Sequence, residues 1–210
     1  MGETEYKLTY FKFSGRGEQV RLLFALCGVD FDDERLDFPT FVCRQAQGDF
    51  HFGSVPMLTH GDFTLVQGPV IIQYLGRKFG IWPKGPKEDA LAASWASAAE
   101  DLRGKVAAAL FAKGDAFTAL KKQSIETVLP TWLARYERTM GGKYCLGDTM
   151  YACDACLYDV LARACELFGD EAAKVIANYS KISAFYNMMK ANPNIKKWEA
   201  DHVQYAFKKQ

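Results

Sequence analysis

The sequence predicts a small α/β domain followed by an all-α domain. Every strand-like stretch lies before Gly80, and every later apolar pattern repeats at the spacing of one helix face. Between the two regions stands Ile81-Trp-Pro-Lys-Gly-Pro-Lys, whose prolines and glycine mark a connector. The division is drawn as a first domain over 1–81, a linker over 82–88 and a helical domain over 89–210.

The elements follow in order. Lys7 to Phe13 is aromatic and contains Thr, as strands do, and Ser14-Gly15-Arg16-Gly17 closes it. From Glu18 to Gly28, the residues Val20, Leu22, Leu23, Phe24 and Leu26 form an apolar helix surface that the glycine ends. Val29 to Leu36 has the composition of a second strand. Ser54-Val-Pro-Met-Leu-Thr and Phe63-Thr-Leu-Val are two short strands joined by the tight turn His60-Gly61-Asp62. Pro suits a first helical position, so Gly68-Pro69 opens a helix running through Ile72, Leu75 and Phe79 to Gly80. Such a set can cover both faces of a small mixed sheet.

Beyond the linker, Leu91, Trp95, Ala99, Leu102, Val106 and Leu110 fall on one face of a long helix. A second stripe comprises Ile125, Leu129, Trp132, Tyr136 and Met140, and Pro130 either starts or kinks it. Asp154 to Cys165 and Ile182 to Met189 supply two more helices.

Composition narrows the function class. The 210 residues are 49% hydrophobic and 24% charged, enough apolar material for a packed core and against disorder. A formal charge of +1 lacks the basic field of a nucleic-acid binder. No apolar run approaches the roughly 20 residues that cross a bilayer, so no membrane partner is expected. The opening Met-Gly-Glu-Thr-Glu-Tyr is acidic and polar, unlike a secretory leader, and Tyr6 stands where myristoylation needs Ser or Thr. A cytoplasmic protein is the expectation.

Cysteine usage agrees. Six cysteines are too few to staple a secreted domain of this length. Cys153 and Cys156 form a C-x-x-C pair, but zinc needs a second ligand pair, and His51, His60 and His202 are scattered. A redox dithiol belongs at a strand-to-helix turn, whereas this pair lies within an apolar helical stretch. Both therefore read as small buried hydrophobes, and no metal is expected.

Motifs from one end of the chain to the other resemble a known family. Tyr10-Phe-Lys-Phe-Ser-Gly-Arg-Gly-Glu-Gln-Val-Arg-Leu-Leu-Phe-Ala is similar to the opening of cytosolic glutathione transferases. Phe52-Gly-Ser-Val-Pro-Met-Leu, Gln67-Gly-Pro-Val-Ile-Ile-Gln-Tyr-Leu, Glu100-Asp-Leu-Arg, Gly147-Asp148 through Asp154, and Asn192-Pro-Asn-Ile-Lys-Lys-Trp follow in the family's order and spacing. Tyr10 ends the first strand where the tyrosine-type classes (alpha, mu, pi, sigma) have their catalytic residue, with a sigma-like class favoured. Ser14 is not at the serine-class place.

The resemblance implies a thioredoxin-like first domain, an all-α second domain, and a detoxifying transferase joining glutathione to small hydrophobic electrophiles. Glutathione is then the co-substrate, with no prosthetic group. Tyr10 would donate its hydroxyl proton to the sulfur. A free thiol has a pKa near 8.5, and lowering it by ~2 units requires favouring the thiolate by ~2.7 kcal/mol, the scale of one charge-assisted hydrogen bond. By the same resemblance the tripeptide meets Phe11, Arg16, Phe41, Gln47, Val55, Pro56, Gln67 and Gly68. Val55-Pro56 corresponds to the family's cis-proline element, where the backbone can pair with the cysteinyl segment as an added strand does. Gln67-Gly68 stands before a helix start suited to the γ-glutamyl carboxylate.

Three positions depart from the family. Gly68 replaces the usual Ser or Thr, Phe41 a tryptophan, and Gln47 a lysine, so weaker glutathione binding is expected; a micromolar or tighter calorimetric constant would contradict this. Asp101 corresponds to the acid that reaches the partner subunit's γ-glutamyl ammonium. Phe52 corresponds to an aromatic key inserted into the partner, so a C2 homodimer is expected. Phe13 and Phe111, with Phe11, would line an apolar electrophile pocket. Asp154 is the buried helix-start acid; Tyr151 stands where its capping Ser or Thr would be, and Thr149 could substitute by shifting the helix start. Two other activities fit the resemblance: a sigma-type isomerase or peroxidase such as a prostaglandin isomerase, and a non-catalytic crystallin- or ligandin-like protein.

Overall fold

The computed structural model describes residues 4–206, so Met1-Gly2-Glu3 of the opening stretch and residues 207–210 lie outside it. A four-stranded sheet occupies the first third of the chain in the order β2-β1-β3-β4. Strand β1 (Tyr6–Phe11) pairs in parallel with β2 (Asp32–Leu36) and antiparallel with β3 (Met57–His60), which pairs with β4 (Phe63–Val66). As a central strand, β1 buries Leu8 and Tyr10 on one side and Thr9 on the other. A parallel pair needs a crossover, supplied by α1 (Glu18–Cys27), which Gly28 ends in the left-handed conformation at φ 63°. The β3–β4 hairpin leads into α3 (Gly68–Lys78).

Three strand boundaries differ from the sequence reading. The first strand stops at Phe11 instead of Phe13, and the second and third begin at Asp32 and Met57 instead of Val29 and Ser54. Between β2 and β3 lies α2 (Phe38–Ala46), which periodicity did not reveal because it buries none of its residues. Its local signals are present all the same: Asp37 accepts from the Thr40 N–H at 2.9 Å, and Pro39 sits in the first turn.

The connector is irregular only to Gly85, because α4 (Pro86–Ala107) starts at its second proline. Trp95, Ala99, Leu102 and Val106 face inward as the stripe predicts, but Leu91 is 55% exposed. The helices α5 (Gly114–Gln123), α8 (Asp170–Ala177) and α10 (Pro193–Asp201) add to those anticipated. Pro130 lies in the first turn of α6 (Leu129–Thr139), directly after a π-helical segment, Ser124–Val128. Pro cannot donate to the preceding turn, so a wider turn before it is a natural accommodation.

Helix α7 (Ala152–Phe168) is buried on every face from Ala152 through Ala162. A helix buried all round belongs at the centre of a core, and its Asp154 and Asp159 are tolerated there because backbone N–H groups and arginines meet them. Its start is not shifted to Thr149: Tyr151 is the N-cap, and its N–H donates to Asp154 Oδ2 at 2.8 Å. The Cys145 N–H donates to the other oxygen at 2.9 Å, so Asp154 anchors the preceding loop as well as the helix. Helix α9 (Ser180–Ala191) completes the bundle. One contiguous apolar cluster runs from Leu8, Phe24 and Ile72 through Trp82 to Leu102, Leu157 and Phe185, joining sheet and bundle.

Candidate active site

Tyr10 ends up near the close of β1, 5% exposed, with its ring enclosed by the turn Gly15–Gly17. The Arg16 N–H donates to the Tyr10 hydroxyl oxygen at 2.9 Å. That bond occupies an acceptor position on the oxygen and leaves the phenolic proton free to be donated elsewhere. Burial raises the Tyr10 pKa, and the opposing pull of the Arg16 amide and of Arg103, Arg16 and Arg21 does not reverse it. The hydroxyl is therefore a protonated donor at neutral pH. The wrap requires the two glycines: a Cβ on Gly17 would stand 2.6 Å from Tyr10 Cγ, and one on Gly15 2.6 Å from its hydroxyl oxygen.

Sequence reasoning gave Arg21 and Glu18 no role, yet they fix the loop that carries the site. Arg21 is fully buried; its Nη2 donates to the Phe11 carbonyl at 3.1 Å and its Nη1 to the Phe13 carbonyl at 3.2 Å. Its charge is met by Asp33 at 2.9 Å and Glu18 at 3.1 Å. Burial alone would push the Glu18 pKa up, but Arg21, Arg163 and a 2.8 Å hydrogen bond from Trp198 Nε1 hold it below the ordinary value. An arginine on the apolar stretch of α1 with one acid at helical spacing was the available signal: Glu18 and Arg21 are an i,i+3 pair.

Beside Tyr10 opens a cavity of about 410 Å³ between the first domain and helices α4 and α7. Phe11, Phe13, Phe111, Val106, Val160 and Leu167 make it apolar, while Tyr10, Arg16 and Arg103 supply polar edges. The Phe11 and Phe13 rings stack with centroids 5.4 Å apart, and Phe111 meets Phe13 edge-on at 6.4 Å, itself 78% exposed at the rim. Phe41 extends the aromatic row from Phe11 at 5.0 Å to Phe50 at 5.4 Å. Along the wall, Arg16 pairs with Glu100, Glu100 with Arg103, and Arg103 Nη1 with Asp159 at 2.6 Å. Burial disfavours the Arg103 charge, but Asp159 and Glu100 keep it protonated.

The other sequence-predicted residues fall around this centre. The Val55–Pro56 peptide is cis, with Pro56 buried at the foot of β3. Gln67 stands at the N-cap of α3 at φ 77° and ψ 109°, a conformation costing a non-glycine residue roughly 1–3 kcal/mol. Gly68 is buried behind it. Gln47 is exposed at the end of α2, and Asp101 is exposed on α4. Phe52 projects outward, 87% exposed, from a turn at φ 56° that Gln45 Nε2 braces by donating to the Gly53 carbonyl at 2.6 Å.

All six cysteines are free, with Cys153 and Cys156 buried in α7. Cys145, Cys153 and Asp154 have ligand-type atoms within 4.8 Å of one another. Both carboxylate oxygens of Asp154 already accept backbone N–H bonds, which marks the group as a structural anchor. No helix among the described residues is long and apolar enough to cross a membrane.

Comparison with known proteins bears on the same two regions. The family model for the glutathione S-transferase N-terminal domain matches residues 6–77, and that for the C-terminal domain matches residues 100–202. Glutathione S-transferase 1 of Ascaris suum is 31% identical across 97% of this chain and 99% of its own. Glutathione S-transferase P 1 of Xenopus laevis is 29% identical, covering 92% and 91%. The solved Pi-class glutathione S-transferase of Onchocerca volvulus superposes with a TM-score of 0.85 at 26% identity, over 95% of this chain and 94% of its own. Prostaglandin synthase D of Nilaparvata lugens shares the fold at a TM-score of 0.79 and 23% identity, over 93% and 96%. These matches do not single out a class. With a thioredoxin-like first domain, a helical second domain and both halves matched, the chain is an enzyme belonging to the glutathione S-transferase family.

Proposed function

We propose that the enzyme conjugates the glutathione thiolate to small hydrophobic electrophiles, with the Tyr10 hydroxyl as the group that holds the sulfur in its anionic form. One observation carries the reading: a buried, protonated phenol whose oxygen already accepts the Arg16 N–H, at the edge of a phenylalanine-lined cavity. A donor fixed in this way stabilises developing negative charge without reorganising, which is where most electrostatic catalysis originates. The arriving thiol gives its proton to solvent, and the thiolate accepts the Tyr10 hydrogen bond. The sulfur's electron pair then forms a C–S bond to an electrophile seated among Phe11, Phe13 and Phe111, with halide leaving as the anion in the aryl halide case.

The tripeptide would lie along the sheet end, its cysteinyl backbone against Val55 and its γ-glutamyl carboxylate at the α3 N-terminus beside Gln67 and Gly68. Its glycyl end would reach Phe41 and Gln47. Asp101 of the partner subunit would meet the γ-glutamyl ammonium in a homodimer keyed by Phe52. Isomerase or peroxidase chemistry would draw on the same thiolate; the former returns glutathione unchanged and the latter as its disulfide with the hydroperoxide reduced to an alcohol, so neither yields the thioether that marks conjugation.

The test is retention on immobilised glutathione and turnover of a chromogenic aryl halide, in wild type and Tyr10→Phe. Wild type is expected to be retained and to turn over, and Tyr10→Phe to fold and be retained while losing most turnover. Equal turnover by the two proteins removes the Tyr10 role.

A further inference from the structure

Gln19 is 0% exposed within α1, an uncommon place for a primary amide. Its Nε2 donates to the Arg16 carbonyl at 3.1 Å, and its Oε1 accepts no hydrogen bond among the described residues. One polar contact and close packing therefore hold the amide. The packing partner is the first turn of α3: a Cβ on Gly68 would stand 2.5 Å from Gln19 Nε2 and 3.5 Å from its Cδ. Carbon contacts are optimal at roughly 3.5–4.0 Å, so any side chain at position 68 displaces the amide.

The Arg16 carbonyl that anchors Gln19 belongs to the residue whose N–H donates to Tyr10. The amide thus sits between the start of α3 and the turn that aims the phenol. We propose that Gln19 is a positioning residue that sets the spacing between these two parts of the glutathione site, and that Gly68 is glycine because Gln19 occupies the volume a side chain would need. The inference rests on the reading that α3 receives the γ-glutamyl end and Tyr10 the sulfur.

This reverses the obvious expectation for Gly68. A serine there supplies a hydroxyl near the helix start, and taken alone it would strengthen binding. Against Gln19 it instead pushes the amide off its 3.1 Å bond to Arg16, costly for a group whose Oε1 already accepts nothing among the described residues. Shortening Gln19 removes the conflict.

A double-mutant cycle of wild type, Gly68→Ser, Gln19→Ala and the double variant decides the matter. The readouts are glutathione affinity by calorimetry, melting temperature, and the pH profile of kcat/KM with an aryl halide. Gly68→Ser is expected to lose about tenfold in affinity, and the double variant to recover it, since packed neighbours couple on that scale. Gln19→Ala is expected to shift the acid limb of the pH profile upward, because the turn holding Tyr10 loses its brace; a purely structural role would leave that limb in place. If Gly68→Ser does not fold, a double variant that folds supports the pairing, and one that does not overturns it. Gly68→Ser binding as tightly as wild type, or a double variant no better than Gly68→Ser, also overturns it. Wild type giving no heat with glutathione would bring down the functional reading as a whole, a result distinct from an additive cycle in a wild type that binds.

Discussion

At Tyr10 the decisive atom is a hydrogen whose direction is set by the neighbour on the oxygen. With the Arg16 N–H already bound there, the phenolic proton is left to be given to another acceptor. Replacing Tyr10 with phenylalanine removes the donor to sulfur and also the acceptor of the Arg16 N–H. If the site lowers the thiol pKa by ~2 units, the thiolate fraction at pH 7 falls about 20- to 30-fold in Tyr10→Phe, and kcat/KM should fall with it. Raising the pH should restore most of the loss, which a pH–rate series measures directly; a loss that persists at pH 9 contradicts the assignment. Gly17→Ala is a separate test of the enclosure. Its Cβ would meet the Tyr10 ring at 2.6 Å, so about 1–3 kcal/mol of stability should go, with turnover falling even in the fraction that stays folded. Tyr10 was legible in the sequence because a motif marks it. Gly15 and Gly17 were legible only as a strand ending, since their close approach to the Tyr10 ring leaves no local pattern.

At the scale of elements, α1 does more than cover the sheet. Its buried Arg21 grips the carbonyls of Phe11 and Phe13, and Glu18 neutralises that charge while accepting from Trp198. Glu18 has a folded pKa below its ordinary 4.5, so its contribution is complete above about that pH and is lost as pH falls through the lower folded value. Glu18→Gln should cost about 2–3 kcal/mol near neutrality and then lose less than wild type on acidification; urea unfolding at pH 7 and below 4.5 reads both. Parallel loss in the two proteins would assign the acid limb to other carboxylates. Elements with an apolar face, such as α1, α3, α7 and the β3–β4 hairpin, could be read from periodicity. Helix α2 could not, because it turns no residue fully into a core and announces itself only through Asp37 and Pro39. Leu91 shows the opposite error: it keeps the period of α4 but sits where that helix faces out.

For the whole molecule, the exposed Phe52 and the apolar cluster that joins sheet and bundle act at different boundaries. An aromatic at 87% exposure on a braced turn is a large apolar side chain that none of the described residues covers. On the homodimer reading, Phe52→Ser should shift the sedimentation-equilibrium mass toward monomer and raise the KM for glutathione through loss of the partner's acid. A dimer undisturbed by Phe52→Ser removes the key role. Inside the chain, Trp198 reaches back to Glu18 across nearly the full length of the sequence. During synthesis the first helix leaves the ribosome long before that indole exists, so a nascent chain carries every residue around Tyr10 while Glu18 still lacks its last partner. Competence for catalysis should accordingly arrive late in translation, when α10 docks.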